Sequence, residues 1–367
     1  MTRPDTAEWE PLAAALADDV TPRGSPWRDI VARTPRHVFV PEFAERDGNT
    51  YRRVSSSEPT WLERVYTDEA LTTQHQAHPD HPGLELPTSS TTRPSLMIAM
   101  LDALDVTDGA RVLELGTGTG YNAALLCERL GQENITSVDL DPGLVEAARR
   151  RLASAGYRPH LDVADSAHGY PARAPYDRVI ATHSVERIPH AWVAQTRPGG
   201  RIVCDVRSAP AADIGRLATL TVDGDGTARG RFWASDPGGF MAARTRVDVP
   251  SVCFGPPVRD LRDAERRRSR VDPTVLTDAN FRFALWARSP HLTIALGPDA
   301  GVSERDGAWA QPVDARDVDV AGPVDLWEQV EEAHAWWVRS GSLGPADFGI
   351  TVTPEGQRVR VRRPLPP

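Results

Sequence analysis

Three groups of residues between Arg111 and Asp141 carry types and spacing that could do chemistry, in RVLELGTGTGYNAALLCERLGQENITSVDLD. Glu114 stands two residues before a glycine turn, Gly116-Thr117-Gly118-Thr119-Gly120, and Asp139 follows some twenty residues later. Glycines at such a turn let the backbone pass close to a ligand, and a helix that starts there presents unpaired N–H groups to it. An acid at the end of the next strand is placed to accept hydrogen bonds from ribose hydroxyls. The positioning elements are legible in the pattern. Val112, Leu113 and Leu115 form a short apolar strand that stops at the glycines, and helical spacing runs through Ala124, Leu125 and Leu130. Ile135, Ser137 and Val138 then lead a second strand into Asp139.

Two cofactors fit a strand, turn, helix, strand and acid in that order. Dinucleotide sites favour G-x-G-x-x-G, with a pyrophosphate on the helix N-terminus. The spacing here is G-x-G-x-G, and Glu114 would repel a pyrophosphate. The same carboxylate suits the amino group of S-adenosylmethionine. The segment therefore reads as a site for that cofactor, with S-adenosylhomocysteine as product, and the chain as a methyltransferase.

Composition bounds the rest. A chain of 367 residues can form one large domain or a core with additions. Mean hydropathy is −0.40, and no apolar run approaches the roughly 20 residues of a membrane span. The acidic N-terminus lacks the basic and apolar regions of a signal peptide. Cys127, Cys204 and Cys253 are widely separated without C-x-x-C spacing and read as small buried residues in a reducing, cytoplasmic setting. The formal charge of −9 argues against general affinity for nucleic acid, although all 42 basic residues are arginine.

Residues 1–90 read as an N-terminal extension beside the substrate entrance, with helices over Glu8–Val20 and Trp27–Ala32. Residues 91–255 read as the core. Repeated αβ units there predict an α/β fold with a doubly wound, largely parallel Rossmann-like sheet, closed by an antiparallel hairpin around DGDGT. Residues 256–367 read as an α+β extension. It begins with a charged linker or solvated helix, carries a helix LWEQVEEAHAWWVRSG capped by Asp325, and ends in the hairpin ITVTPEGQRVRV.

Four ordered segments resemble the protein-L-isoaspartate (D-aspartate) O-methyltransferases over about Pro35 to Val206. These are PRHVFVP with VYTDEAL, then TTRPSLMIAML, then VLELGTGTGYNAALL with VDLD, and last APYDRVIAT with IPHAW and PGG. The resemblance implies a class I S-adenosylmethionine-dependent methyltransferase. It implies that Gly116, Thr117 and Gly118 wrap the methionine part of the cofactor, that Asp139 holds the ribose, that Asp165 and Ser166 lie at the adenine, and that Glu114, Asn122 and Leu140 also belong to the cofactor site. Thr92 takes the place of the family's serine, whose hydroxyl binds the acceptor carboxylate. No metal is implied. The polar insertion HQAHPDHPGLELPTSS and the C-terminal extension look like actinobacterial members that tailor ribosomally made peptides, graspetides or lanthipeptides. Those relatives methylate an aspartate of a cyclised precursor, leading to aspartimide; the alternative is general isoaspartyl repair. The partner is thus a modified precursor peptide or a protein, with no nucleic acid or membrane.

Other residues with chemical potential have plainer readings. His75, His78 and His81 read as a solvated loop rather than a metal site, and Asp177 as structural. Thr182 and His183 end a strand where α/β sites form. Trp327, Trp336 and Trp337 are read as core rather than a peptide-binding face. Glu331 and Glu332 are placed on a solvated face, and Arg266 to Arg268 on a surface helix.

Overall fold

The computed structural model of the chain describes residues 6–79, 81–208, 215–235, 238–247, 264–295, 300–304 and 307–362. Helices α1 (Thr6–Val20), α2 (Arg28–Arg33) and α3 (Arg36–Phe39) open the chain. Strands β1 (Glu42–Asp47) and β2 (Thr50–Ser55), helix α4 (Trp61–Val65), and strands β3 (Leu71–Ala77) and β4 (Glu85–Thr91) follow. The four strands form an antiparallel sheet in the order β2-β1-β3-β4. The stretch expected to be a polar loop is therefore largely a β-hairpin. Its pairing, Gln76 opposite Leu86 and His75 opposite Pro87, is made by the backbone, which polar side chains do not advertise. His75 lies in β3, stacked on Tyr51 at 4.9 Å and 3.3 Å from the Glu85 carboxylate.

The αβ units follow the expected order: α5 (Pro94–Leu104), β5 (Val112–Leu115), α6 (Tyr121–Leu130), β6 (Ile135–Asp139), α7 (Pro142–Ser154), β7 (His160–Val163), β8 (Tyr176–Val185), α8 (His190–Ala194) and β9 (Thr196–Arg207). Strands β7, β6, β5, β8 and β9 lie side by side and parallel. Both faces of this sheet are covered, as alternation requires. Val112, Ile180 and Val203 face a core built with α5, α6, α7 and the N-terminal helices. Leu113, Leu115, Val179, Ala181, Ile202 and Cys204 face the opposite core.

The remaining elements are β10 (Gly215–Val222), β11 (Ala228–Phe232), β12 (Glu265–Arg268), α9 (Ala279–Arg288), β13 (Thr293–Ala295), β14 (Gly301–Ser303), β15 (Trp309–Pro312), β16 (Asp317–Ala321), α10 (Leu326–Arg339), β17 (Phe348–Thr353) and β18 (Gly356–Val361). The expected hairpin β10–β11 continues the main sheet antiparallel, and β17–β18 extends it beyond β11 to nine strands. The expected boundary near residue 255 thus does not part the core from the C-terminal residues, because the closing hairpin is a piece of the core sheet. A separate five-stranded sheet, β12-β16-β15-β14-β13, packs with α9 and α10 onto the second face.

Several local expectations change in this region. Arg266 to Arg268 lie in strand β12, paired with β16, and not on a helix. Residues 255–263 of the expected linker, and Cys253, lie outside the described residues. Glu331 is buried, not solvated: Arg267 and Arg270 donate to it at 3.1 Å and 2.6 Å. Trp327 and Trp337 belong to the core, and Asp325 caps α10 as expected.

Candidate active site

Strand order reverses between β5 and β8, so a crevice opens beyond their C-terminal ends, where α/β proteins place ligands. A cavity of about 450 Å³ lies there, within the size range of small-molecule sites. Nine of the ten residues expected from sequence line it: Thr92, Glu114, Gly116, Thr117, Gly118, Asn122, Asp139, Leu140 and Ser166. Asp165 does not. Its carboxylate instead accepts from the Ala167 N–H at 2.8 Å and caps the short turn Ser166–His168.

The glycine turn packs tightly against β8 and α7 while its Gly116–Gly118 backbone lines the cavity. Gly116 has φ of +101°, and a Cβ on it would come within 2.5 Å of the Thr182 hydroxyl. Gly120 begins α6 at φ of +88°, with Ala148 of α7 only 3.2 Å from where its Cβ would lie. Beneath the turn Glu114 is fully buried. Asn122 donates to one of its oxygens at 2.7 Å and Ser137 to the other at 2.5 Å. Burial nonetheless pushes its carboxyl up to about 7. Asp139 accepts from the Gly118 N–H at 2.9 Å and the Asp141 N–H at 3.1 Å, so it braces the turn as well as lining the cavity. Burial raises its pKa also.

Thr182 and His183 are brought into the site. The Thr182 hydroxyl donates to the Gly116 carbonyl at 2.7 Å. His183 Nε2 lies 3.0 Å from the Ser166 hydroxyl and Nδ1 lies 3.2 Å from the Leu115 carbonyl. Burial pushes this imidazole down to about 4, so it is neutral at physiological pH.

The N-terminal segments explain themselves through Thr92. Arg36, fully buried, donates to the carbonyls of Val65, Thr67 and Glu69 at 2.9, 2.7 and 3.0 Å. That clamp presents Asp68, whose carboxylate accepts the Ser95 N–H at 2.8 Å and fixes the start of α5. Pro94 occupies the first turn of α5, where its missing N–H costs nothing. Thr92 is thereby held at the cavity wall, beside Thr88, Ser89, Ser90 and Thr91.

Sequence reasoning missed one wall. Residues Gly238 to Arg244 cross the crevice as a strap. Ser184 anchors it: its N–H donates to the Met241 carbonyl at 2.9 Å, its hydroxyl to the Phe240 carbonyl at 2.9 Å, and its carbonyl accepts the Ala243 N–H at 2.8 Å. The Asp205 carboxylate lies 2.5 Å from the same hydroxyl, so the two acceptors share its one proton. No periodicity announces this strap; its Gly-Gly start is the only local signal.

The sheet order, the glycine turn and the acid at the end of β6 together define a class I S-adenosylmethionine-dependent methyltransferase fold, with added N- and C-terminal elements. Residues 50–221 match the family model for protein-L-isoaspartate(D-aspartate) O-methyltransferase. The protein-L-isoaspartate O-methyltransferase of Methanothrix thermoacetophila is 34% identical over 182 residues, 49% of this chain and 73% of that protein. That of Thermococcus onnurineus is 38% identical over 135 residues, 36% of this chain and 60% of that protein. The chain belongs to the protein-L-isoaspartate O-methyltransferase family. The match to the Thermococcus protein leaves about two fifths of that relative uncovered. A solved structure bearing the same protein name has a similar fold, with a TM-score of 0.55 at 18% identity over 96% of this chain and 99% of its own. That likeness takes in the C-terminal elements too. Among the described residues no helix is long and apolar enough to cross a membrane.

Proposed function

We propose that the protein is an S-adenosylmethionine-dependent carboxyl O-methyltransferase whose acceptor is an isoaspartyl residue of a polypeptide. The observation that carries this reading is the meeting of the glycine turn, Glu114 and Asp139 with the hydroxyl-lined wall at Thr92 in one cavity. The cavity-lining turn Gly116–Gly118, the buried Glu114 carboxylate and the cavity-lining Asp139 carboxylate fit the cofactor's methionine and ribose parts. When bound, the cofactor supplies an electrophilic methyl group on a sulfonium.

The residues of this chain do the positioning. An acceptor carboxylate, with a reference pKa of about 3.9, is ionised at neutral pH, so no general base is needed. The Thr92 hydroxyl donates a hydrogen bond to one acceptor oxygen and leaves the other to attack. The strap excludes water from the reacting centre. Holding two partners at near-attack distance can lower a barrier by roughly 7–11 kcal/mol.

A second reading is favoured by one residue and one hairpin: Thr92 in place of the family's serine, and the extended β3–β4 hairpin at the rim. In this reading the acceptor is a normal aspartate of a cyclised ribosomal peptide. The backbone N–H of the next residue then attacks the methyl ester, forming the C–N bond of an aspartimide and releasing methanol. Mass spectrometry with labelled cofactor tests both on one panel. Methyl gain on a linear isoaspartyl peptide supports the first. Methyl gain and then methanol loss on the cyclised aspartyl peptide alone supports the second, and no methyl gain on either overturns both.

A further inference from the structure

The open face of the antiparallel half of the main sheet carries one sign of charge. In β10, β11, β17 and β18 one set of alternating side chains faces the second core, including Ala218, Leu220, Phe232, Ile350 and Val352. The other set falls into cross-strand rows. One row reads Arg201, Thr221, Arg229, Thr351, Arg358, each opposite the next on neighbouring strands. The row beside it reads Thr219, Arg231, Gly349, Arg360. Arg229, Arg231, Arg358 and Arg360 are all exposed.

No acidic residue occupies a position in these rows. Nearby acids sit at the edges: Asp223 and Asp225 in the β10–β11 turn pair with Arg229, Asp105 pairs with Arg201, and Glu355 in the β17–β18 turn is near enough to Arg358 to be favoured as a carboxylate by its charge. Among the described residues, Arg231 and Arg360 make no ion pair. They flank Gly349, over which the stem of a further arginine, Arg362, lies 3.2 Å from where a Cβ would stand. With strands 4.7–4.9 Å apart, their Cα atoms lie roughly 10 Å from each other. That is about one screening length at 0.1 M salt, so any attraction of this face for an anion is strongest at low salt and fades as salt is added. A single-sign face of this kind on a chain of net charge −9 raises the local concentration of acidic partners.

The face is also joined to the active site. The chain leaves β11 at Phe232, and Trp233 bounds the face by donating to the Thr219 hydroxyl at 2.9 Å. Gly238, seven residues after Arg231, begins the strap over the cavity. Seven residues span at most roughly 25 Å, so a short extended peptide can reach from one to the other.

We propose that this arginine face docks an acidic segment of the polypeptide substrate, within about 25 Å of the start of the strap over the cavity. The proposal rests on the carboxyl-methyltransferase reading for its choice of partner, but its test reads binding directly. The probe is a fluorescent isoaspartyl peptide flanked by glutamates, compared by anisotropy with the same peptide flanked by glutamines. The expected result is tighter binding of the glutamate peptide, weakened about ten-fold in Arg231→Glu/Arg360→Glu and progressively lost with salt. The neutral pair Arg231→Gln/Arg360→Gln, checked for folding by thermal unfolding, should show a smaller weakening of the same kind. Equal affinity for both peptides, or no weakening in either variant, overturns the proposal. So does tighter binding of a single-stranded oligonucleotide that displaces the glutamate peptide. If methyl transfer fails on every acceptor while the charge-dependent binding persists, the functional reading falls and the docking face stands.

Discussion

The Asp68 carboxylate accepts the Ser95 N–H at 2.8 Å, joining two segments that lie 27 residues apart. Asp68 does not line the cavity, yet it fixes the first turn of α5 and with it the backbone at Thr92. Replacing Asp68 with Ala removes a helix-start acceptor, worth about 1 kcal/mol of stability. Turnover should fall about ten-fold. Cofactor affinity measured by calorimetry should stay unchanged, and Asp68→Asn should recover part of the turnover. Normal turnover in Asp68→Ala would show that the brace does not govern Thr92.

Thr92 itself should separate acceptor from donor. Thr92→Val keeps the shape and removes the hydroxyl, so turnover drops while cofactor affinity holds. Asp139→Ala should do the reverse and weaken cofactor binding, because it removes both a cavity carboxylate and the acceptor for the Gly118 N–H. Loss of one charged hydrogen-bond partner is worth roughly 1.5–3 kcal/mol.

At Gly116 the backbone permits no side chain. A Gly116→Ala substitution meets the Thr182 hydroxyl at 2.5 Å and holds a non-glycine residue at φ of +101°. The expected cost is about 1–3 kcal/mol, read in thermal unfolding. Cofactor affinity should fall at least ten-fold as the turn shifts. An unshifted melting curve with full affinity would remove the close-approach argument.

Glu114 and His183 give opposing pH dependences. The folded pKa of Glu114 is raised to about 7 from 4.5, so its contribution to stability is full below pH 4.5 and is lost as pH rises to 7. The folded pKa of His183 is lowered to about 4 from 6.5, so its contribution is present above pH 6.5 and is lost as pH falls to 4. Chemical denaturation from pH 4 to 8 should therefore show more gain with rising pH in Glu114→Gln than in the parent. In His183→Asn it should show less. Identical profiles in all three proteins would contradict the assigned burial effects.

The α10 helix should act through stability. Trp327 is fully buried and its indole N–H donates to the Ser269 hydroxyl at 2.8 Å. Trp327→Ala should cost about 3–5 kcal/mol in denaturant unfolding. The activity of the fraction that remains folded should be unchanged. A raised KM for peptide with unaltered stability would instead make this a binding face.

The strand, glycine turn, helix and acid of the cofactor site were legible in the chain's residues, because each is a local pattern within thirty positions: an apolar run, a turn only glycine adopts, a 3.6-residue period. The ordered motifs were legible too, and the fold then supplied their meaning, as Arg36 clamps the loop that presents Asp68. Other features became definite only when the chain closed on itself. The Gly238–Arg244 strap is held by Ser184 and Asp205, and β17 joins the core sheet beside β11 across more than a hundred residues. The buried position of Glu331 depends on two arginines from a different strand and loop. These are pairings between distant segments, chosen by which surfaces meet when the cores close, and a local period carries no record of a partner that far along the chain.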